Sequence, residues 1–444
     1  MTRHERPTHE GRLIGRRGAL ATIVAAAGGV VAGVSRRTQH RKGDTAPALP
    51  RLSAPDARWW SDATAGSLRQ PVAVSAAGYS RVDRPIEIDL GIHDVAPDSV
   101  RVVEIDQSGA VLNGDVVHQY DPALSLPLVL LANGRTAAGS TRHFHVYYDR
   151  KATSIPAKVF SPLVELDEHH HDEGQDAYLV RTRTGTYSYQ RKGASLSSLV
   201  DVDGFDWLSY HAEPGPGPRG ANGFYRGMPN FHFPDGNFHP GFEVSQSELL
   251  ASGPLRVVVR STSHAGGDWT YETSFFPDFA RSTITKAAAK YWFLYEGTPG
   301  GESARGAVKP FKVLRADGVE FGHRDDWVTK FKGEAWAAFR SPGLGAPYGR
   351  TFFLAHHDVH PHVDSYYLAR NDGAPVGADD MGSMTVFGFG RDHAEMSMTD
   401  AQSPNQFTFG LMQPSDATDA VAAINAAYRA VATRVGSAEH RPPR

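Results

Sequence analysis

Apolar and polar residues alternate along most of this chain with a period of two. In AYLVRTRTGTYSYQRKG, Tyr178, Val180 and Thr182 fall on one face, and Tyr187 and Tyr189 continue the alternation beyond a turn. SLSSLVDVDGFDWLSY, PLRVVVRSTS, DWTYETSFFPD, RSTITKAAAKYWFLYEG, RTFFLAHHD, TVFGFGR and NQFTFGLMQ repeat the pattern. Between 175 and 412 this predicts long antiparallel strands and no helix. That stretch is too long for one small two-sheet unit, so a large sandwich is expected. Upstream, PVAVSAAGYSRVDRPIEIDL, SVRVVEIDQSGAVL, HQYDPALSLPLVLLA and RHFHVYYD read as shorter strands with Ser-Gly and Asn-Gly turns. These predict a small immunoglobulin-like sandwich over 70–150.

The period changes only near the end. SDATDAVAAINAAYRAVATRV opens on a Ser/Asp cap and spaces Val421, Ile424, Tyr428 and Val431 by three and four, which predicts one C-terminal helix. The expected fold is therefore all-β with that single helix. Segments 35–69 and 151–174 read as linkers, 175–434 as the large domain with its helix, and 435–444 as a disordered tail.

Composition narrows the function. The chain has 444 residues, a formal net charge of -3 and 21% charged residues, which excludes the basic footprint of a nucleic-acid binder. Aromatics at 10%, with 45 Gly and 29 Pro, suit a turn-rich β protein. The absence of cysteine removes disulfides, thiolate metal sites and thiol nucleophiles. Residues 1–17 are polar and end in Arg16-Arg17. GALATIVAAAGGVVAGV then follows, with Leu20 completing Arg-Arg-x-x-Leu. This is the layout of a twin-arginine export signal over 1–34, and it predicts an extracellular or cell-surface protein. Basic Arg36, Arg37, Arg41 and Lys42 suit an uncleaved anchor equally well, the one expected membrane contact.

TGTYSYQRKGASLSSLVDVDGFDWLSY, a strand, a Gly-x-Ser-x-x-Ser-Leu-x-D-x-D-G hairpin and an aromatic second strand, resembles the opening of galactose-mutarotase-like supersandwich domains. GPLRVVVRSTS and WTYETSFFPDFARSTITK resemble their central strands. The resemblance covers 175–412 and implies a secreted carbohydrate-active protein, of the polysaccharide lyase or glycoside hydrolase type. An immunoglobulin-like module often precedes such a domain.

Three regions hold residues suited to chemistry. The first is the Pro/Gly-rich segment 210–242, which lacks alternation and is long for a compact domain. It supplies His211, Tyr225 and His232 as candidate catalytic groups, and Arg219, Asn222, Arg226, Asn230 and His239 as donors to sugar hydroxyls or carboxylates. The second is FFLAHHDVHPHVDSYYLAR, with His356 as a catalytic candidate and Tyr366 as a sugar contact. Its residues from His356 to Asp364 are of types that suit a divalent cation, although no cofactor is expected. The third is Glu296, which follows Trp292 and Leu294 on an apolar strand face. It is either a general acid on a groove wall or a core carboxylate paired with an arginine such as Arg256 or Arg260. LDEHHHDEGQD reads as solvated charge at a domain boundary, and Asp201-Asp203-Gly204 as a plain turn.

The expected partner is a carbohydrate polymer or oligosaccharide. His, Tyr and Arg outnumber acids in the first two regions, which tilts the expectation towards β-elimination on a uronic-acid glycan. A hydrolase using a carboxylate pair and a non-catalytic glycan binder are the alternatives.

Overall fold

The computed structural model describes residues 59–62, 64–92, 94–151, 155–212, 226–231, 238–331, 334–344, 348–357, 362–370, 375–377, 381–393 and 395–442. All of them belong to one compact unit, Ala46–Arg444. Among them the chain is almost entirely antiparallel β-structure, with one α-helix, Ala417–Tyr428.

Two nine-stranded sheets form the large domain among the described residues. The first runs Trp327–Phe331, His362–Ala369, Met384–Phe389, Phe293–Gly297, Gly227–Asn230, Ser195–Asp201, Gly185–Gln190, Gln175–Arg181, Glu165–Asp172. The second runs Ser245–Ser252, Val257–Ser263, Trp269–Phe275, Ala280–Lys286, Asn405–Met412, Arg350–His356, Ala335–Ser341, Lys312–Arg315, Glu320–Gly322. Alternate residues of each strand meet in one aromatic core: Phe293 stacks on Phe407 at 4.1 Å, and Tyr295 lies 4.7 Å from Phe352. Each such side chain, fully buried, contributes about 1.5–3 kcal/mol. Because Tyr291, Phe293 and Tyr295 fill the core, alternation turns Trp292, Leu294 and Glu296 to the outer face of the first sheet.

The outer face of the second sheet is covered. Leu255, Phe276, Phe279, Trp336 and Phe353 pack there against Val129 and Leu131 of the small sandwich and Ile424 and Tyr428 of the helix. Arg256 is buried at this junction, with Asp121 at 2.8 Å and Glu87 at 3.3 Å; Arg281 also grips Glu87. The helix starts at Asp416, whose side chain accepts from Asp419 N. It ends where Arg84 and Arg81 donate to the carbonyls of Ala427, Arg429 and Ala430.

The small sandwich has a three-stranded sheet, Arg81–Ile88, Leu128–Thr136 and His118–Tyr120, facing a larger one built around Leu68–Ser75 and Thr141–Tyr148. Two expectations are corrected here. The end of the predicted helix and the predicted disordered tail are strands: Ala432–Val435 and Glu439–His440 pair with Leu68–Ser75, in the registers Val72↔Val435 and Leu68↔His440. LDEHHHDEGQD, read as linker, forms the edge strand Glu165–Asp172 and its turn into the next strand. Glu173 (φ 51°) and Gly174 (φ 80°) make that turn.

Candidate functional site

The site lies on the outer face of the first sheet, around Glu296. Gly227–Asn230 pairs with Phe293–Gly297, with a register shift between Gly227 and Asn230. Across this irregular pairing Asn230 Nδ2 donates to Glu296 Oε2 at 3.4 Å, and His239 Nε2 lies 3.1 Å from the same oxygen. All three residues are buried. His239 Nδ1 donates to Pro240 O at 2.9 Å. A carbonyl only accepts, so Nδ1 carries a proton, and the Nε2–Oε2 contact requires a second one. On nitrogen that proton makes an imidazolium–carboxylate pair; on oxygen it makes a neutral acid–imidazole pair. Either way Oε1 is the oxygen of Glu296 left for a ligand.

Two polar atoms without a hydrogen-bond partner belong to residues in contact with this pair, Asn230 Oδ1 and the Tyr210 hydroxyl, and a third, Trp292 Nε1, lies further along the same face beside Arg391. The Tyr210 ring sits edge-on to His239 at 6.3 Å. Burial pushes the Tyr210 phenol well up, and the charge of Glu173 adds to that, so the group remains a neutral donor. Buried polar atoms without partners are scarce in folded proteins, and a cluster of them beside an acid marks a place for ligand hydroxyls or water.

Arg391 faces the same site. Its guanidinium stacks on Tyr367 at 4.5 Å, lies 5.9 Å from the Trp292 ring and donates to Ser365 Oγ at 2.7 Å. Gly388 makes room for it: a Cβ there would stand 2.4 Å from Leu294 and 3.0 Å from Arg391 Cβ. Burial lowers the Arg391 pKa, while Tyr367 and Glu296 oppose the shift. Burial raises that of Tyr367, with Arg391 opposing. Both side chains are partly exposed, so a ligand can reach them.

At the rim, exposed His211 sits between two carboxylates, with Glu173 3.6 Å from Nδ1 and Glu302 3.6 Å from Nε2. Glu302 is also the partner of Arg226. Arg226 donates to Ser209 O at 2.9 Å and Ser383 O at 2.7 Å, and burial lowers its pKa to about 10. Its guanidinium thus ties chain segments together.

The sequence-predicted residues divide accordingly. Asn230, His239 and Glu296 are in direct contact; His211 and Arg226 meet through Glu302. His356 and Tyr366 lie in the core between the sheets. His356 stacks on Phe407 at 4.6 Å, and Tyr366 packs against Trp327. Tyr225, His232, Arg219 and Asn222 lie outside the described residues, as do Asp358 and His360. Among the described residues no group of three or more His, Asp or Glu is placed to hold a metal ion. The arginine partners expected for Glu296 are engaged elsewhere: Arg256 with Asp121 and Glu87, and Arg260 with Glu272 at 2.8 Å and Glu248 at 3.4 Å. Sequence reasoning missed Arg391, and it gave no site role to Tyr367, Trp292 and Tyr210 although each stands in a stretch it singled out. Alternation alone pointed to Tyr367, because it stands one residue from core-facing Tyr366 and must face outward.

No family model matches the chain, and no curated protein matches it. Solved structures do. A putative mutarotase, YeaD, from Salmonella typhimurium is 14% identical over 58% of this chain and 97% of its own, with a TM-score of 0.34. The protein HI1317 is 14% identical over 57% of this chain and 98% of its own, also with a TM-score of 0.34.

Proposed function

We propose that this protein is a carbohydrate-active enzyme that cleaves a uronic-acid-containing glycan by β-elimination, with Glu296 moving the proton. The observation that carries this reading is a buried carboxyl, held by His239 and Asn230, on the same sheet face as the partly exposed Arg391. β-Elimination removes the proton at C5 and expels the group on C4, leaving a C4=C5 double bond. The uronate carboxylate must be neutralised as C5 loses its proton, and a guanidinium stacked on an aromatic ring does this well. Glu296 Oε1 takes the C5 proton, while His239 and Asn230 fix its orientation. His211, accessible and flanked by Glu173 and Glu302, supplies a proton to the departing oxygen. Tyr210, Asn230 Oδ1 and Trp292 Nε1 receive the sugar hydroxyls.

Two observations weigh against the hydrolase alternative. Glu173 and Glu302, the carboxylates that approach each other here, have the His211 ring between them, where no glycosidic bond fits. Glu296 itself faces an imidazole and an amide rather than a second acid. The reading is tested by incubating the protein with a panel of uronic-acid polysaccharides and following ultraviolet absorbance of the unsaturated product. Absorbance that grows with wild type and not with Glu296→Gln supports it. New reducing ends from neutral glycans without absorbance would make it a hydrolase, and binding without cleavage a glycan-binding protein. Export rests on the Arg16-Arg17 signal, and fractionation of expressing cells, with an Arg16→Lys/Arg17→Lys control, tests it.

A further inference from the structure

The core of the large domain contains a chain of polar groups that the chemistry above does not use. His356 Nε2 donates to Asn405 Oδ1 at 2.8 Å, which leaves Nδ1 facing His362 Nε2 at 3.3 Å. His362 Nε2 is 3.3 Å from Asp364 Oδ1, and that oxygen accepts from Gly390 N at 3.2 Å. At the other end Asn405 Nδ2 donates to the Tyr291 hydroxyl at 3.0 Å and reaches Met398 Sδ at 3.5 Å. His356, His362, Asp364 and Asn405 are all buried. An imidazole pair and a carboxyl in an aromatic core are costly to desolvate, and Asp364 Oδ2 has no hydrogen-bond partner at all.

Both ends of the chain close on the same turn. Asp364 Oδ1 holds the amide of Gly390, and the Met398 side chain fills the space beside it: a Cβ on Gly390 would stand 2.6 Å from Met398 Cγ. Gly390 is in the left-handed region (φ 72°) and immediately precedes Arg391. Ser365, next to Asp364 on the same strand, points the other way and accepts from Arg391 Nη1. Consecutive residues of one strand thus grip the turn from its two sides, Asp364 by the backbone and Ser365 by the side chain.

We infer that the Asp364–His362–His356–Asn405 chain is a positioning device for Arg391, fixing the Gly390 turn so that the guanidinium is presented to the carboxylate of an acidic sugar. This rests on the reading of Arg391 as the sugar-acid anchor. None of the four interior residues touches the ligand. They act through the backbone of Gly390, and their effect on binding vanishes when Arg391 is absent.

The test is a double-mutant cycle read by calorimetric binding of D-galacturonate against D-galactose. Asp364→Ala lowers the preference for the acid about tenfold in the wild-type background, as expected for a displaced charge-assisted contact, and less than about twofold in an Arg391→Gln background. Asp364→Asn, which keeps an oxygen for Gly390 N, restores most of the preference. An equal loss in both backgrounds, or no loss, overturns the inference. If Asp364→Ala does not fold, His356→Phe, which keeps the stack on Phe407, is carried through the same cycle. Wild type that ignores galacturonate defeats the functional reading alone. The crystal structure of the Asp364 variant then decides the inference, which fails if the 2.7 Å Arg391–Ser365 contact and the Gly390 turn are unchanged.

Discussion

Replacing Glu296 by glutamine separates the two jobs of its carboxyl, holding His239 and moving a proton. Glu296→Ala removes the acceptor of two buried groups, His239 Nε2 and Asn230 Nδ2. Each buried group left unsatisfied costs about 1–3 kcal/mol, so the alanine variant loses roughly 2–6 kcal/mol. Glutamine avoids that loss. With its Nδ1 proton committed to Pro240 O, a neutral His239 presents Nε2 as an acceptor for the new amide. Asn230, whose Oδ1 has no partner, can turn to accept the other amide hydrogen. The glutamine variant is therefore expected to lie within about 1 kcal/mol of wild type in urea denaturation. Its turnover falls about 10²–10⁴-fold, the usual contribution of a positioned proton-transfer group. Paired denaturation curves and ultraviolet progress curves on one preparation read both quantities. Wild-type turnover in Glu296→Gln, or a stability loss as large as that of Glu296→Ala, would refute the reasoning.

Three further predictions concern other parts of the molecule. His211→Ala should abolish turnover while leaving the unfolding midpoint unchanged, because the side chain is exposed and its partners remain solvated; full activity in a steady-state assay would remove it from the mechanism. Arg256→Ala leaves Asp121 without its buried cation and should cost about 3–5 kcal/mol, seen in calorimetry as loosening of the small sandwich from the large domain. His145, in the small sandwich, has its pKa lowered to about 4, chiefly by burial and then by Arg69 and His143. The unfolded chain takes up this proton near its ordinary value of 6.5. Stability is therefore complete above that pH and is lost as pH falls towards 4, by about 2–3 kcal/mol. His145→Gln should flatten urea midpoints across that window, and an unchanged slope would exclude this histidine.

Much of the fold was legible because a strand with one face in a core must alternate, as WTYETSF and ARSTITK do, whereas YWFLYEG and RTFFLAH are apolar runs buried on both faces. The same rule turned Glu296 away from Phe293 and Tyr295. It could not name the partner, since the choice between His239 and Arg256 depends on which surfaces dock. Arg256 is taken by Asp121, a residue of the small sandwich. Histidines in FFLAHH were read as chemistry because residue type does not reveal which side of a sheet a residue faces; His356 faces Phe407. Arg391 gave no signal, as it follows a Phe-Gly-Phe-Gly run whose glycines matter only once Leu294 and Met398 lie against them. The edge strand Glu165–Asp172 has a single apolar residue, Leu166, so alternation has almost nothing to register. The strand Ala432–Val435 merges into an Ala-rich helical pattern and is defined only by its distant partner.

That distant pairing has a consequence for how the chain is made. Leu68–Ser75 leaves the ribosome before the large domain, and Ala432–Val435 and Glu439–His440 leave after it. The whole large domain is synthesised between them. The edge of Leu68–Ser75 that they cover therefore stays open while the large domain is made, exposed to pairing with other chains. Emergence of Ala432–His440, rather than completion of the large domain, is the event that seals this edge. A nascent chain stalled before Ala432 would carry both sheets of the large domain and an unfinished small sandwich.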